Sequence, residues 1–93
     1  MQEIELEIRN PSGLHARPAA TFVKTAAGFR SQVLMQNLTR GTAPGDAKSI
    51  LTMLAAGVKQ GHQVRITAEG EDEGAAIASL AELVRSGIGE PLK

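Results

Sequence analysis

The stretch EIELEIRNPSGLHARPAATFVKTAAG, Glu3 to Gly28, sets the architecture. Its opening alternates strictly, with Ile4, Leu6 and Ile8 on one side and charged residues on the other. That period of two describes a strand with one buried face. Pro11, Ser12 and Gly13 then break the strand. From Ala16 the period changes to that of a helix: Ala19, Phe22, Val23 and Ala26 share one face, and Gly28 closes it. A strand thus feeds a helix through a short break, and a histidine stands at the junction.

Working outward, Ser31–Gln36 reads as a second strand. The turn-rich NLTRGTAPGD that follows predicts a hairpin connection with a short third strand near Arg40–Ala43. Lys48–Ala56 reads as a short helix closed by Gly57. The segment QVRITAE alternates again, with Val64, Ile66 and Ala68 on one side. Asp72 is placed to cap a last helix whose apolar face is Ile77, Leu80, Ala81 and Val84, ended by Gly87 and Gly89. Alternating strands predict a sheet with one covered and one wet face. The expected class is α+β, a two-layer sandwich with helices on one side.

Composition bounds the function. The chain has 93 residues, which predicts one domain over 1–93. Ten basic and ten acidic residues balance, which argues against a general nucleic-acid or membrane-surface binder. With two Phe and no Trp or Tyr, stacking on bases is poorly served. Cysteine is absent, which excludes disulfides and thiolate metal sites. No apolar run approaches a membrane span, and the acidic, alternating start is unlike a signal peptide. A cytoplasmic location follows as the default.

The middle helix departs from an ordinary surface pattern. Ile50, Leu51, Met53, Leu54, Ala55 and Ala56, followed by Val58, make it apolar most of the way round, where one stripe would suffice. Pattern alone leaves two readings open: a helix buried under a loop, or an exposed docking patch.

If the first helix starts at Ala16, His15 is its N-cap. The first amides of a helix lack internal partners and carry the positive end of the macrodipole, so they favour anions. Pro18 falls in the first turn, where its missing N–H costs no hydrogen bond. Gly13 permits an unusual φ or a close backbone approach. Arg17 adds a permanent cation whose donor fork suits phosphate. An ordinary imidazole is mostly neutral at pH 7 and keeps a lone pair for nucleophilic attack. The assembly fits a phosphoryl group accepted and released on His15. The competing reading, a polar cap, is the commoner use of a lone histidine, and physics alone stops at an anion-binding histidine.

GLHARPAA closely resembles the active-site signature of the histidine-containing phosphocarrier (HPr) family of the bacterial sugar phosphotransferase system. AKSILTMLAAGVKQG resembles that family's middle-helix segment, and the element order agrees over essentially the whole chain. The resemblance implies an open-faced β-sandwich, with four antiparallel strands and three helices on one face. It implies that His15 takes a phosphoryl group on Nδ1 from phosphorylated enzyme I, charged by phosphoenolpyruvate. His15 then passes it to a histidine of a sugar-specific IIA protein or domain. By the same resemblance Arg17 neutralises the group, and the amides of Ala16 and Arg17 hold its oxygens. The chain would be a covalent intermediate in phosphoryl transfer rather than a stand-alone turnover enzyme, with no cofactor and no metal.

The family's partner surface maps to Ala20 and Lys24 beside the site and to Lys48, Ile50, Leu51 and Leu54 along the middle helix. This favours docking as the use of the excess apolar character. A transient interface and a monomeric carrier are expected. Ser49 matches the family's regulatory serine, the target of a dedicated kinase/phosphorylase in some lineages. A phosphate there would add about −1.5 to −2 charge beside the docking patch.

Two departures stand out. The Asn37–Asp46 segment looks longer than in the common free carrier and more like carrier domains within fused multiphosphoryl transfer proteins. Asp46 stands before AKSI, where many members have Asn. The resemblance thus leaves open a free carrier or a domain of a longer chain. The rival function is a non-transferring regulatory binding module on the same fold, controlled through Ser49. His62 reads as an ordinary edge or surface residue. A nucleotide-binding loop at GTAPGDAKS is rejected, because Asp46 and Ala47 separate Gly45 from Lys48. No nucleophile elbow supports a triad of Ser12, His15 and Asp46.

Overall fold

A computed structural model describes residues 1–90. The elements run β1 (Gln2–Glu7), α1 (Ala16–Ala27), β2 (Gln32–Asn37), β3 (Gly45–Asp46), α2 (Ile50–Ala55), β4 (Gln63–Glu69) and α3 (Glu73–Arg85). The strands form one antiparallel sheet in the order β1-β4-β2-β3. With three helices over it, this is the open-faced α+β sandwich expected. No described helix is long and apolar enough to cross a membrane.

The period-two strands behave as their patterns dictate. Val64, Ile66 and Ala68 of β4 and Val33 and Met35 of β2 are buried. They meet Ile8, Leu14, Phe22 and Ala26 from the β1–α1 unit and Ile77, Leu80 and Val84 from α3 in one core. The other sheet face is wet. There Arg65 donates to Glu5 at 2.7 Å and lies 3.6 Å from Glu3. These pairs are solvent-exposed and add little to stability.

Two elements differ from the sequence expectation. The third strand is not at Arg40–Ala43 but at Gly45–Asp46, paired with Met35 and Leu34. The amides from the expected strand are taken by Asn37 instead: Arg40 N donates to its side chain at 3.2 Å and Thr42 N to its carbonyl at 3.1 Å. Those bonds fold Leu38–Gly41 into a turn, and only the residues beyond Pro44 reach the ladder. The middle helix begins at Ile50 rather than Lys48. The Asp46 carboxylate accepts the Lys48 amide at 2.9 Å, and the Asp46 carbonyl accepts the Ser49 amide at 3.1 Å. This local turn competes with the helix. Ser49 stays extended and caps it, its hydroxyl accepting from the Thr52 amide at 3.3 Å.

Asp72 stands at the N-cap of α3, but its side chain does not cap that helix. Its carboxylate instead ties α3 to the α1–β2 link. It accepts from the Ser31 hydroxyl, from the Arg30 amide at 2.8 Å and from the Ser31 amide at 2.9 Å. The Ser31 hydroxyl first, then the amides, lowers its pKa to about 2. A depressed carboxyl stabilises the fold above its unfolded pKa and loses that contribution as pH falls through the folded one. Asp72→Asn should therefore be less stable than wild type at neutral pH. In urea titrations the gap should close between pH 3.8 and about 2. A gap constant with pH would count against this bond.

Candidate functional site

The break between β1 and α1 is held from both ends. Asn10 and Leu14 are fully buried. The Gly13 amide donates to the Asn10 carbonyl at 3.1 Å, and the Leu14 amide to the Val58 carbonyl at 3.1 Å. Gly13 has φ +59°, and its backbone lies against Val58 and Lys59 closely enough that a Cβ would overlap the Val58 carbonyl oxygen. A second anchor comes from the far end of the chain. Glu90 accepts from Asn10 Nδ2 at 2.9 Å, the Ser12 hydroxyl at 2.7 Å and the Ser12 amide at 3.0 Å. These donors, Asn10 first, hold the Glu90 carboxyl below its usual range.

His15 emerges from this anchored turn, exposed, as the N-cap of α1. Its backbone is extended and its side chain makes no capping hydrogen bond, so the ring is not consumed in finishing the helix. Ala16 follows with φ +52°. A left-handed alanine costs roughly 1–2 kcal/mol, and Leu14 and Pro18, two residues away on either side, are buried. Arg17 is exposed one residue further on, and among the described residues no carboxylate pairs with it. An exposed imidazole, the start of a twelve-residue helix and an unpaired guanidinium thus lie within three consecutive residues.

The other expected surface residues fall on α1 and around α2. Ala20 and Lys24 are exposed on α1, as are Ile50, Leu51 and Leu54 on α2. Leu51 is 76% exposed, while Met53 of the same helix is fully buried. Burial therefore accounts for one side of the apolar helix and leaves the other to solvent. Lys48 lies before α2 rather than on it, and its ammonium donates to the Phe29 carbonyl at 2.7 Å. That bond ties it to the segment after α1. Ser49 is half-buried as the α2 cap.

One grouping was not expected from the sequence. His15 shares a surface cavity of about 470 Å3 with Arg40, Gly57, Lys59 and His62. Arg40 comes from the loop after β2 and His62 from the lead into β4. Arg17 is not among these lining residues.

The family of phosphotransferase-system HPr components, described by its phosphorylation site, matches residues 2–86. The chain belongs to the HPr family. The HPr chain is 49% identical over 83 residues to a multiphosphoryl transfer protein of Haemophilus influenzae, covering 89% of this chain and 17% of that protein. It spans about a fifth of the length of the curated relatives it matches. Among solved structures it superposes on HPr-C-His from Thermoanaerobacter tengcongensis with a TM-score of 0.92 and 46% identity. That match covers 99% of this chain and 100% of the other. A phosphocarrier protein HPr from Bacillus anthracis superposes with a TM-score of 0.83 and 31% identity, over 89% and 95% of the two chains.

Proposed function

We propose that this HPr chain is a phosphocarrier that receives a phosphoryl group on His15 from enzyme I and delivers it to a histidine of a IIA protein or domain. The observation that carries the reading is the state of His15: exposed, free of capping duty and seated at the amides that open α1. The Nδ1 lone pair attacks the phosphorus held on the donor's imidazole. The new N–P bond forms as the donor's N–P bond breaks, and that electron pair returns to the donor ring. Transfer onward repeats the exchange with His15 as the leaving group. The amides of Ala16 and Arg17 and the Arg17 guanidinium take up negative charge on the phosphoryl oxygens, which lowers the barrier as positioned donors do. No cofactor is needed, because phosphorus never leaves nitrogen.

The partners are enzyme I and a IIA unit, met in turn by one shared patch in the cytoplasm, with the carrier monomeric. Ala20, Lys24, Ile50, Leu51 and Leu54 form that patch, and their exposure supports the assignment. Identity to multiphosphoryl transfer proteins favours a IIA domain of the same kind of assembly as the acceptor. The test is relay. Label carried on the chain should pass to an added IIA domain and disappear from the carrier. Label that stays on the carrier beside an active acceptor would refute the reading.

Leu51→Glu tests the patch. Leu51 is exposed, so stability should change by no more than about 0.5 kcal/mol. A carboxylate on a docking surface should slow transfer from enzyme I by about tenfold, through KM. Unchanged steady-state kinetics would remove α2 from the interface.

A further inference from the structure

The cavity beside His15 holds cationic and N–H donors from parts of the chain remote in sequence, and it is lined by no carboxylate. Two of its lining residues, Arg40 and His62, are tied to Asn37, which is fully buried behind them. The Asn37 amide donates to the Ala56 carbonyl at 3.0 Å and lies 3.2 Å from His62 Nδ1, while its oxygen accepts the Arg40 amide at 3.2 Å. One buried side chain therefore fixes the loop after β2, the end of α2 and the lead into β4 together.

Two consequences follow for the lining groups. The Lys59 amide donates to His62 Nδ1 at 3.2 Å, and the Asn37 amide stands at the same distance. With donors on Nδ1, the neutral His62 ring carries its proton on Nε2, leaving an N–H donor unused by that network. Arg40 Nη1 reaches the Ala56 carbonyl at 3.4 Å, and its guanidinium lies over Gly57, where φ is +61° and a side chain would collide with it. The guanidinium is thus held in place by one long bond and a bare glycine, with most of its five donors unspent. Among the described residues no carboxylate pairs with Arg40.

We propose that Arg40, with the Nε2–H of His62, forms a second set of donors for the phosphoryl group on His15, apart from Arg17 and the helix amides. The ligand class is a phosphoryl dianion bound to imidazole nitrogen. The proposal rests on the phosphocarrier reading. In this chain the loop after β2 does more than join strands: it delivers a cation to the reaction centre. Arg40 also sits at the C-terminal end of α2, where a cation is favourable on structural grounds alone. The test must therefore include readouts that a purely capping role would leave unmoved.

The experiment charges the full chain with phosphoenolpyruvate, magnesium and enzyme I, comparing wild type, Arg40→Met and Arg40→Lys. Phosphorylation of wild type should shift the His62 ring resonances. Arg40→Met should lower kcat/KM for uptake by about tenfold, the scale of one lost charge-assisted hydrogen bond, and shorten the lifetime of the adduct. Arg40→Lys should recover part of both. If Arg40→Met only lowers the melting temperature, with uptake, adduct lifetime and the His62 shift as in wild type, Arg40 is a cap and the proposal fails. If only KM for enzyme I rises, the cation serves docking and the proposal also fails. Absence of any adduct on wild type overturns the phosphocarrier reading itself and this proposal with it. An adduct formed equally well by all three proteins overturns the proposal alone.

Discussion

His15→Ala should abolish phosphoryl uptake, with a loss on the order of 10^5-fold or more, as when a covalent nucleophile is deleted. No neighbour can substitute. His62 offers its Nδ1 lone pair to the Lys59 amide and carries its proton on Nε2, so its ring has no free lone pair for attack on phosphorus. Stability should hardly change, because the His15 side chain is exposed and makes no capping bond. An exposed position without such contacts contributes within about 0.5 kcal/mol. The expected signature is an unaltered melting curve beside a protein that cannot be charged. Normal charging of the variant would move the site elsewhere, and a collapsed melting curve would show His15 to be structural.

Gly13→Ala should have the largest effect on stability and should reach the site through the backbone. At φ +59° an alanine pays a conformational penalty of about 1–2 kcal/mol. Its Cβ would also overlap the Val58 carbonyl oxygen and stand 2.8 Å from Lys59 Cα. Both obstacles are backbone and cannot rotate away. The loop must separate from the α2–β4 connection, breaking the bond from the Leu14 amide to Val58. Together these effects come to about 3 kcal/mol, since forced overpacking costs about 1–3 on its own. For a domain of this size that lowers Tm by roughly 15 °C. Because His15 is carried two residues on, phosphoryl uptake should fall even at temperatures where the variant is folded. A variant with wild-type Tm would show that the close approach is not needed.

Legibility in the sequence followed the range of the forces involved. β1, α1, β4 and α3 are set by the period of their own apolar residues, and Ile66, Phe22 and Leu80 lie in the core that this period predicts. β3 and the start of α2 are set by competition for amides. Asn37 and Asp46 take donors that a strand at Arg40–Ala43 or a helix from Lys48 would have used. A side chain's choice of partner leaves no periodic trace. The site divided in the same way. His15, Arg17 and the helix start are neighbours in sequence and could be read together. Glu90 reaches Asn10 from 80 residues away, and Arg40 and His62, both tied to buried Asn37, come to share a cavity with His15. In the sequence Asn37 is only the first residue of a turn-rich stretch, and its burial shows it to be an organising group.

The most direct test is to charge the uniformly 15N-labelled chain with phosphoenolpyruvate, magnesium and a matching enzyme I, and to observe the His15 ring nitrogens beside phosphorus. One acid-labile phosphoryl group is expected, with a one-bond phosphorus coupling at His15 Nδ1 and at no other ring nitrogen. A chain that stays uncharged beside an active enzyme I, or a phosphoryl group found on any other residue, would contradict it.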